Sequence, residues 1–355
     1  MSILITGGAG FIGSNFVLDW LDQTSESIIN VDKFTYAGNV ENLSALQGNP
    51  KHILIRGSIE DKALIDRLIN QHSPRAIINF AAESHVDRSI HSPEDFIQTN
   101  IVGTFRLLES ACSYWNNLHD SEKSKFRFLH ISTDEIYGSL GKYDPPFVET
   151  NRAEPNSPYS ASKASSDHLV RAWHHTYGMP VITTNCSNNY GPYQFPEKLI
   201  PLTIVNALSG KPLPIYGDGQ QVRDWLFVKD HCTALVKVLE FGRIGETYNI
   251  GGWNEKANIE IVNTICNILD ELHPASDGHS YKEQIIFVAD RPGHDRRYAI
   301  NAQKIESELN WKPKETFDSG ILKTIKWYLD NPVWIQRTQS GDYRKWLNKQ
   351  YGNSL

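Results

Sequence analysis

Ser2-Ile3-Leu4-Ile5-Thr6-Gly7-Gly8-Ala9-Gly10-Phe11-Ile12-Gly13 decides how this chain folds. An apolar strand runs directly into glycines at 7, 10 and 13, and an apolar helix follows. Glycines at that spacing permit a tight turn, close approach of a pyrophosphate and close packing of helix on strand, while the helix N-terminus stabilises the anion. Alone, the pattern is weak, because a glycine-rich turn without a ligand carries the same letters. The weight comes from what surrounds it.

Working outward, short runs rich in Ile, Val and Phe recur at 2–6, 27–32, 52–56, 75–81, 126–132 and 180–185, separated by helical stretches. Runs that are apolar at nearly every position predict strands buried on both faces, hence a parallel sheet covered by helices on each side. Residues 94–115 and 158–177 carry helical patterns. After about residue 186, prolines 192, 196, 201, 212 and 214 crowd together with glycines, so long loops replace the alternation. The segment from Arg223 to Gly251 reads as strand, helix and strand, returning to the first sheet, and 274–281 reads as a surface loop. The expected fold is α/β: a Rossmann-type doubly wound parallel sheet with a smaller C-terminal substrate-binding lobe. Its expected boundaries are discontinuous, with 1–187 and 221–257 binding the cofactor and 188–220 and 258–355 binding the substrate.

A chain of 355 residues is long enough for two packed lobes. Its net charge of -6 gives no basic footprint for nucleic acid, so a small-molecule partner is expected. Cysteines 112, 186, 232 and 266 are widely spaced, without a CxxC pair, and read as reduced and mostly buried. The chain opens on a strand rather than on a leader, and no apolar run is long enough to span a bilayer, so the cytoplasm is the expected compartment.

The second run ends at Asp32, nineteen residues past Gly13, where a carboxylate can accept hydrogen bonds from an adenosine ribose. It would repel a 2'-phosphate, so NAD is expected over NADP, with Lys33 beside it softening the preference. Gly57-Ser58-Ile59 and Ala81-Ala82-Glu83-Ser84-His85 follow the third and fourth strands, where strand ends face a bound dinucleotide.

Tyr159 and Lys163 stand four residues apart, on one helix face if Pro158 marks the first turn. A phenol titrates near 10 and is a poor base, but a neighbouring ammonium, a positive nicotinamide and a helix N-terminus all favour the phenolate. Tyr159 can then take the proton of a sugar hydroxyl as hydride leaves its carbon. The fifth strand delivers Thr133-Asp134-Glu135 to the same region. Thr133 suffices to hydrogen-bond a reacting oxygen; simple hydride transfer has no need of two further acids. Elimination of water needs both, one to remove a proton beside a ketone and one to protonate the leaving hydroxyl. Which acid takes which role is open on the residues alone.

TGGAGFIG at 6–13, VDKFTYAGN at 31–39, AAESHVDRS at 81–89, STDEIYG at 132–138, YSASKASSDHLV at 159–170, NCSNNYGPYQFPEKLIP at 185–201, RDW at 223–225, YNIGG at 248–252 and DRPGHDRRY at 290–298 cover nearly the whole chain. Through them the sequence resembles the extended short-chain dehydrogenase/reductase superfamily and, within it, the dTDP-glucose 4,6-dehydratase family, whose specific mark is the Thr-Asp-Glu triplet. The resemblance implies a homodimeric enzyme that holds NAD permanently, oxidises C4 of dTDP-glucose, eliminates water across C5 and C6 and returns hydride to C6. It makes Tyr159 the base at C4, with Lys163 and Thr133 assisting, Asp134 the acid for the C6 hydroxyl and Glu135 the base at C5.

By the same resemblance NAD contacts Gly7, Gly10, Phe11, Ile12, Gly13, Asp32, Lys33, Phe34, Thr35, Ser58, Ile59, Ala81, Ala82, Ser84, Thr99, Tyr159, Lys163 and Asn189. The nucleotide-sugar contacts Ser84, Thr133, Asn188, Lys198, Leu199, Pro214, Tyr216, Arg223, Asn258, Arg291 and His294. Arg and Lys suit the diphosphate, Arg with a bidentate fork. Arg296 and Arg297 are read as structural, and His85 as a hydrogen-bonded wall residue, with no metal site expected. The chain departs from the family at Ser58, where an aspartate usually meets the adenine. The competing readings are a nucleotide-sugar 4-epimerase, which would use Tyr159, Lys163 and Thr133 without losing water, and a non-catalytic nucleotide-binding protein.

Overall fold

The computed structural model describes residues 1–340 of the chain, so 341–355 of the expected substrate-binding segment lie outside the described residues. Seven strands form one sheet: β1 (Ser2–Thr6), β2 (Ser27–Asp32), β3 (His52–Arg56), β4 (Ala76–Asn79), β5 (Arg127–Thr133), β6 (Val181–Cys186) and β10 (Thr247–Ile250). Their order is β10-β6-β5-β4-β1-β2-β3, and every pairing is parallel. The order reverses between β1 and β4, which opens a crevice at the carboxyl ends of the strands. Ile3, Leu4, Ile5, Ile28, Ile29, Ile77, Ile78 and Leu129 are fully buried, as strands sandwiched between helix layers require.

The remaining strands are β7 (Asn188–Tyr190), β8 (Leu213–Tyr216), β9 (Val222–Phe227), β11 (Glu255–Ala257) and β12 (Ile285–Val288). They form a three-stranded sheet, β11-β9-β7, and a parallel pair, β12-β8. Here the sequence reading needs correction. The chain returns to the main sheet only at β10, because β9 pairs with β7 and β11. A second buried cluster of Ile200, Ile204, Leu213, Trp225, Ile261, Ile265, Phe317, Ile321 and Tyr328 packs around these smaller sheets. The loop expected over 274–281 holds except at its end, where Tyr281 is buried and opens a short 3-10 helix.

The helix expected over 94–115 is three pieces: an α turn at Pro93–Phe96, a π-helical stretch Ile97–Gly103 and an α-helix Thr104–Asn116. Such widened turns commonly sit at functional sites. In this one Asn100 accepts from the Glu83 amide at 2.8 Å and donates to the Ser162 hydroxyl at 2.8 Å, tying the stretch to the loop after β4 and to the helix Pro158–Tyr177. That helix starts with a capping box in which Ser157 and Ser160 exchange hydrogen bonds, with Pro158 in the first turn.

His231, on the helix Val228–Phe241, is fully buried, and its Nδ1 lies 2.9 Å from the Asn189 side-chain oxygen. Burial pushes its imidazole down to about 3. The folded protein therefore leaves His231 neutral while the unfolded chain takes up a proton below its ordinary 6.5, so the stabilisation is complete above pH 6.5 and drains away as pH falls toward 3. We expect His231→Gln to remove a slope of about 1 kcal/mol per pH unit from the stability profile between pH 6.5 and 4, read by urea unfolding across that range; parallel profiles for the two proteins would contradict this.

Candidate active site

The crevice is an open cleft of about 1530 Å³ running from the glycine turn to the ends of β5 and β6. Its near end is built by the turn. Gly7 has φ +72°, and a Cβ there would lie 2.7 Å from the Ala81 amide nitrogen; a Cβ at Gly13 would lie 2.3 Å from the Gly7 carbonyl. Only glycine lets strand, loop and helix approach so closely. Gly10 caps the helix Phe11–Gln23 without a side-chain hydrogen bond, leaving that N-terminus open to an anion.

Asp32 is buried, accepting from the Ala9 amide on one oxygen and the Phe34 amide on the other, both at 2.8 Å. Each oxygen keeps a lone pair for a ribose hydroxyl. Burial raises its carboxyl while those two backbone bonds lower it. At the rim, Glu60 is held by Lys33 at 3.0 Å, the Ser58 hydroxyl at 3.2 Å and the Thr99 hydroxyl at 3.4 Å. The carboxylate absent at position 58 is thus present two residues on.

Of the residues expected to hold the cofactor, Gly7, Gly10, Phe11, Ile12, Gly13, Asp32, Lys33, Thr35, Ser58, Ile59, Ala81, Ala82, Ser84, Thr99, Asn189, Tyr159 and Lys163 line this cleft. Phe34 does not; with φ +53° it turns back into the apolar core beside Val17 and Leu43. An open helix N-terminus, a buried strand-end carboxylate and a lysine at the far end fit a dinucleotide such as NAD. Among the described residues, no group of three His, Cys, Asp or Glu is placed to hold a metal ion.

The far end carries the reactive groups. Lys163 is buried, and its Nζ donates to the Ile131 carbonyl at 2.9 Å. Tyr159, one turn earlier, meets Phe96 edge-on at 6.2 Å and lines the cleft together with Thr133. In the protein alone, burial and the Glu135 charge push the phenol well above its ordinary value. The phenolate therefore needs added positive charge nearby.

Thr133 caps a 3-10 turn, Asp134–Tyr137, which separates the two acids. Asp134 points inward, 1% exposed, with one oxygen 3.4 Å from the Thr133 hydroxyl and the other without a hydrogen-bond partner. Burial, then the charges of Glu135 and Asp224, raise it well above the carboxylate range. Glu135 faces the cleft. Burial raises it too, but the cations Lys198, Arg223 and Arg291 pull it back. Both acids are therefore raised, Asp134 far more, and Glu135 is the one whose rise is opposed by three cations.

Among the residues expected to contact the sugar nucleotide, Ser84, Thr133, Asn188 and Lys198 line the cleft. Lys198 is held by the Ser84 carbonyl at 2.9 Å. Arg223 lies 4.2 Å over the Tyr298 ring and donates to the carbonyls of Val222 and Asp295. Arg291 and Tyr216 both bind Asp87, at 2.9 and 3.2 Å, while His294 binds Asp290 at 2.6 Å. These residues therefore form a polar wall beyond the cleft proper, with Arg291, Tyr216 and His294 held by acids and Arg223 by carbonyls and a ring. Leu199 packs into the second apolar cluster; Pro214 belongs to β8, and Asn258 starts the helix Asn258–Leu272. His85 accepts from the Arg88 amide and is pushed down to about 4 by burial and Lys198. Arg296 pairs with Asp218 and Arg297 with Glu255, as structural arginines do.

Gln194, Phe195 and Glu197 also line the cleft and were not singled out from the sequence. Their segment, 185–201, reads in the sequence as a proline- and glycine-rich loop and as one of the family-like motifs, without a role for these three side chains. Tyr36 and Arg88, 3.6 Å apart in a cation–π contact, join Glu197 at this rim.

The family model for GDP-mannose 4,6 dehydratase matches residues 4–324. A dTDP-glucose 4,6-dehydratase of Xanthomonas campestris pv. campestris is 60% identical over 341 residues, 96% of this chain and 97% of the relative. The dTDP-glucose 4,6-dehydratase of Bacillus anthracis, solved in complex with NAD, is 47% identical with a TM-score of 0.85, covering 95% of this chain and 99% of that one. That of Streptomyces venezuelae, also solved with NAD bound, is 42% identical with a TM-score of 0.86 and covers 95% and 100%.

The raised Asp134 carboxyl predicts a stability difference. A group that binds its proton more tightly when folded contributes fully below its ordinary 3.8 and loses that contribution as pH rises toward the folded value. Asp134→Asn keeps the polar contact without the cost of ionisation. Its Tm relative to the parent is expected to climb with pH from about 4 upward, and a constant offset in calorimetric scans would refute the assignment of Asp134 as a buried acid.

Proposed function

The chain belongs to the GDP-mannose 4,6 dehydratase family, and within it we propose that the protein is a dTDP-glucose 4,6-dehydratase, an NAD-dependent hydro-lyase. NAD supplies the means of oxidising C4 and, after water is lost across C5 and C6, of reducing C6, so it is regenerated in each turnover.

The observation that carries this reading is the unlike pair Asp134 and Glu135 at the carboxyl end of β5, beside Tyr159 and Thr133. Tyr159, as phenolate, takes the C4 hydroxyl proton, and Thr133 orients that oxygen. Lys163 supplies positive charge one helical turn away. Oxidation makes the C5 proton acidic. Glu135, facing the cleft among three cations, removes it, and Asp134, holding its proton, passes it to the departing C6 hydroxyl. This division of labour is supported by burial and charge, which distinguish two acids that the sequence pattern alone left interchangeable. Lys198 near the cleft, with Arg223 and Arg291 behind it, forms the positive wall suited to a diphosphate.

We infer that NAD is bound mainly by 1–187, whose sheet β10 completes, and the sugar nucleotide mainly by the segments around the smaller sheets, so β9 and β11, expected within the cofactor segment 221–257, belong with the latter. Among the described residues no helix is long and apolar enough to cross a membrane. All four cysteines are free thiols, which supports a cytoplasmic site of action. A homodimer through the helices near 100–115 and 160–177 is supported by exposed Ile97 and Tyr177 and by the Phe105, Trp173 and Tyr177 rings that meet on that side.

Incubation with dTDP-glucose should give a product lighter by the mass of one water, without added NAD, and UDP-glucose and GDP-mannose should turn over more slowly; a product of unchanged mass would reject dehydration. Glu135→Gln is expected to lose C5 deuterium exchange from heavy water by at least about 100-fold while retaining bound NAD, and normal exchange would remove Glu135 as the base. Sedimentation at assay concentration should give twice the mass of one chain, and a monomer there would contradict the proposed contact.

A further inference from the structure

Beneath the catalytic helix lies a buried polar chain that the dehydration chemistry leaves unexplained. Asp167 stands one turn beyond Lys163 on the helix Pro158–Tyr177, four residues on and therefore on the same face. One of its oxygens accepts from the Ser132 hydroxyl at 2.8 Å. Ser132 is the neighbour of Ile131, whose carbonyl receives the Lys163 ammonium. The other oxygen takes no hydrogen bond, although His130 Nε2 lies 3.3 Å away, off the line of a good one.

The state of His130 follows from its partners. The Asn79 side-chain oxygen accepts from the Thr6 hydroxyl at 2.6 Å, so its amide N–H faces His130 Nδ1 at 3.2 Å. Nδ1 is then the acceptor, and Nε2 carries the proton toward Ser166 and Asp167. Ser166 already donates to the Lys163 carbonyl at 2.7 Å, so its oxygen is free to accept from Nε2. His130 is fully buried and burial holds it neutral, as does the charge of Lys163. Asp167 is thus fixed by neutral donors, and among the described residues no lysine or arginine nitrogen lies within 4.0 Å of it, so its charge acts on Lys163, one helical turn back, across a longer gap.

We propose that Asp167 is the counter-charge that holds Lys163 as an ammonium beside Tyr159, with Ser132 and His130 fixing its carboxylate. It is a positioning residue, acting through Lys163, and the proposal rests on the reading of Tyr159 and Lys163 as the proton-transfer pair. The groups facing Lys163 are Tyr159 and Asp167 on its own helix, His130 on β5 and Cys186 on β6. In the protein alone burial keeps Tyr159 and Cys186 neutral and His130 is neutral, so until Tyr159 gives up its proton Asp167 carries the anionic charge in that set. Burial pulls the Lys163 amine down, and Asp167 is the foremost influence opposing it. The backbone carbonyl that Lys163 also binds orients the ammonium but supplies no net charge.

The test compares the parent protein, Asp167→Asn and Asp167→Glu, each as purified with its bound cofactor and labelled with isotopic lysine. Asp167→Asn should lower the Lys163 Nζ titration midpoint by about one pH unit. The descending alkaline limb of the C4 oxidation rate should fall by the same amount, a tenfold loss at a pH on that limb. Asp167→Glu should restore most of both. A folded Asp167→Asn with an unmoved Nζ midpoint and an unmoved limb would overturn the proposal and leave Asp167 a structural residue. If Asp167→Asn does not fold, Asp167→Ser, which also retains a partner for Ser132 without charge, carries the same two outcomes. Failure of the parent to dehydrate dTDP-glucose would sink the functional reading instead, and the Nζ titration would still decide the role of Asp167.

Discussion

The hydrogen bond from Lys163 to the Ile131 carbonyl ties the far end of the cleft together. It crosses from the helix Pro158–Tyr177 to Ile131 near the end of β5, and the reactive groups sit on both sides: Tyr159 and Lys163 on the helix, Thr133 at the end of β5, and Asp134 and Glu135 on the turn that follows. A buried ammonium is tolerated only if its donors are used and its charge is answered. The Ile131 carbonyl takes one of those donors, and the carboxylate of Asp167 stands on the next helical turn. The parallel register of β5 against β6, which sets Thr133 beside Cys186, then fixes where the strand ends. Displacing the helix by a fraction of a turn would separate phenol from threonine and leave the charge unanswered.

The near end depends on a different constraint, which is backbone proximity. Gly7 and Gly13 let β1, the first helix and the loop after β4 converge at distances that any side chain would prevent. This part was legible in the sequence because glycine is the only residue that satisfies it, so the letters report the geometry directly. The parallel strands were legible for a similar reason: burial on both faces forces nearly continuous apolar runs, and six such runs fall where β1 to β6 are found. Asp32 was legible from its place at the end of β2.

What could not be read depends on partners distant in the chain. The strand β9 reads as a return to the first sheet, and its pairing with β7 and β11 assigns it to another. The π-helical stretch Ile97–Gly103 has an ordinary helical pattern; its widening shows in the bonds of Asn100 to Glu83 and Ser162. Phe34 stands among cofactor-facing neighbours, but a positive φ turns it into the core. Arg223 is assigned to the sugar nucleotide by resemblance; the letters do not show that its guanidinium lies over Tyr298 and donates to two carbonyls. Its contribution to the cleft is therefore a fixed field more than a free fork.

That field is what separates the two acids. Asp134 and Glu135 are neighbours in sequence and both are withdrawn from water, so desolvation alone would raise both and make them equivalent. The 3-10 turn breaks the equivalence by directing Asp134 inward, toward Asp224, and Glu135 outward, toward Lys198, Arg223 and Arg291. An inward acid near another acid holds its proton more tightly than an outward one whose rise is opposed by cations. Elimination of water requires one group of each kind within reach of adjacent carbons. A short turn between strand and loop, rather than a longer helix, sets two consecutive residues into unlike surroundings without any separation along the chain.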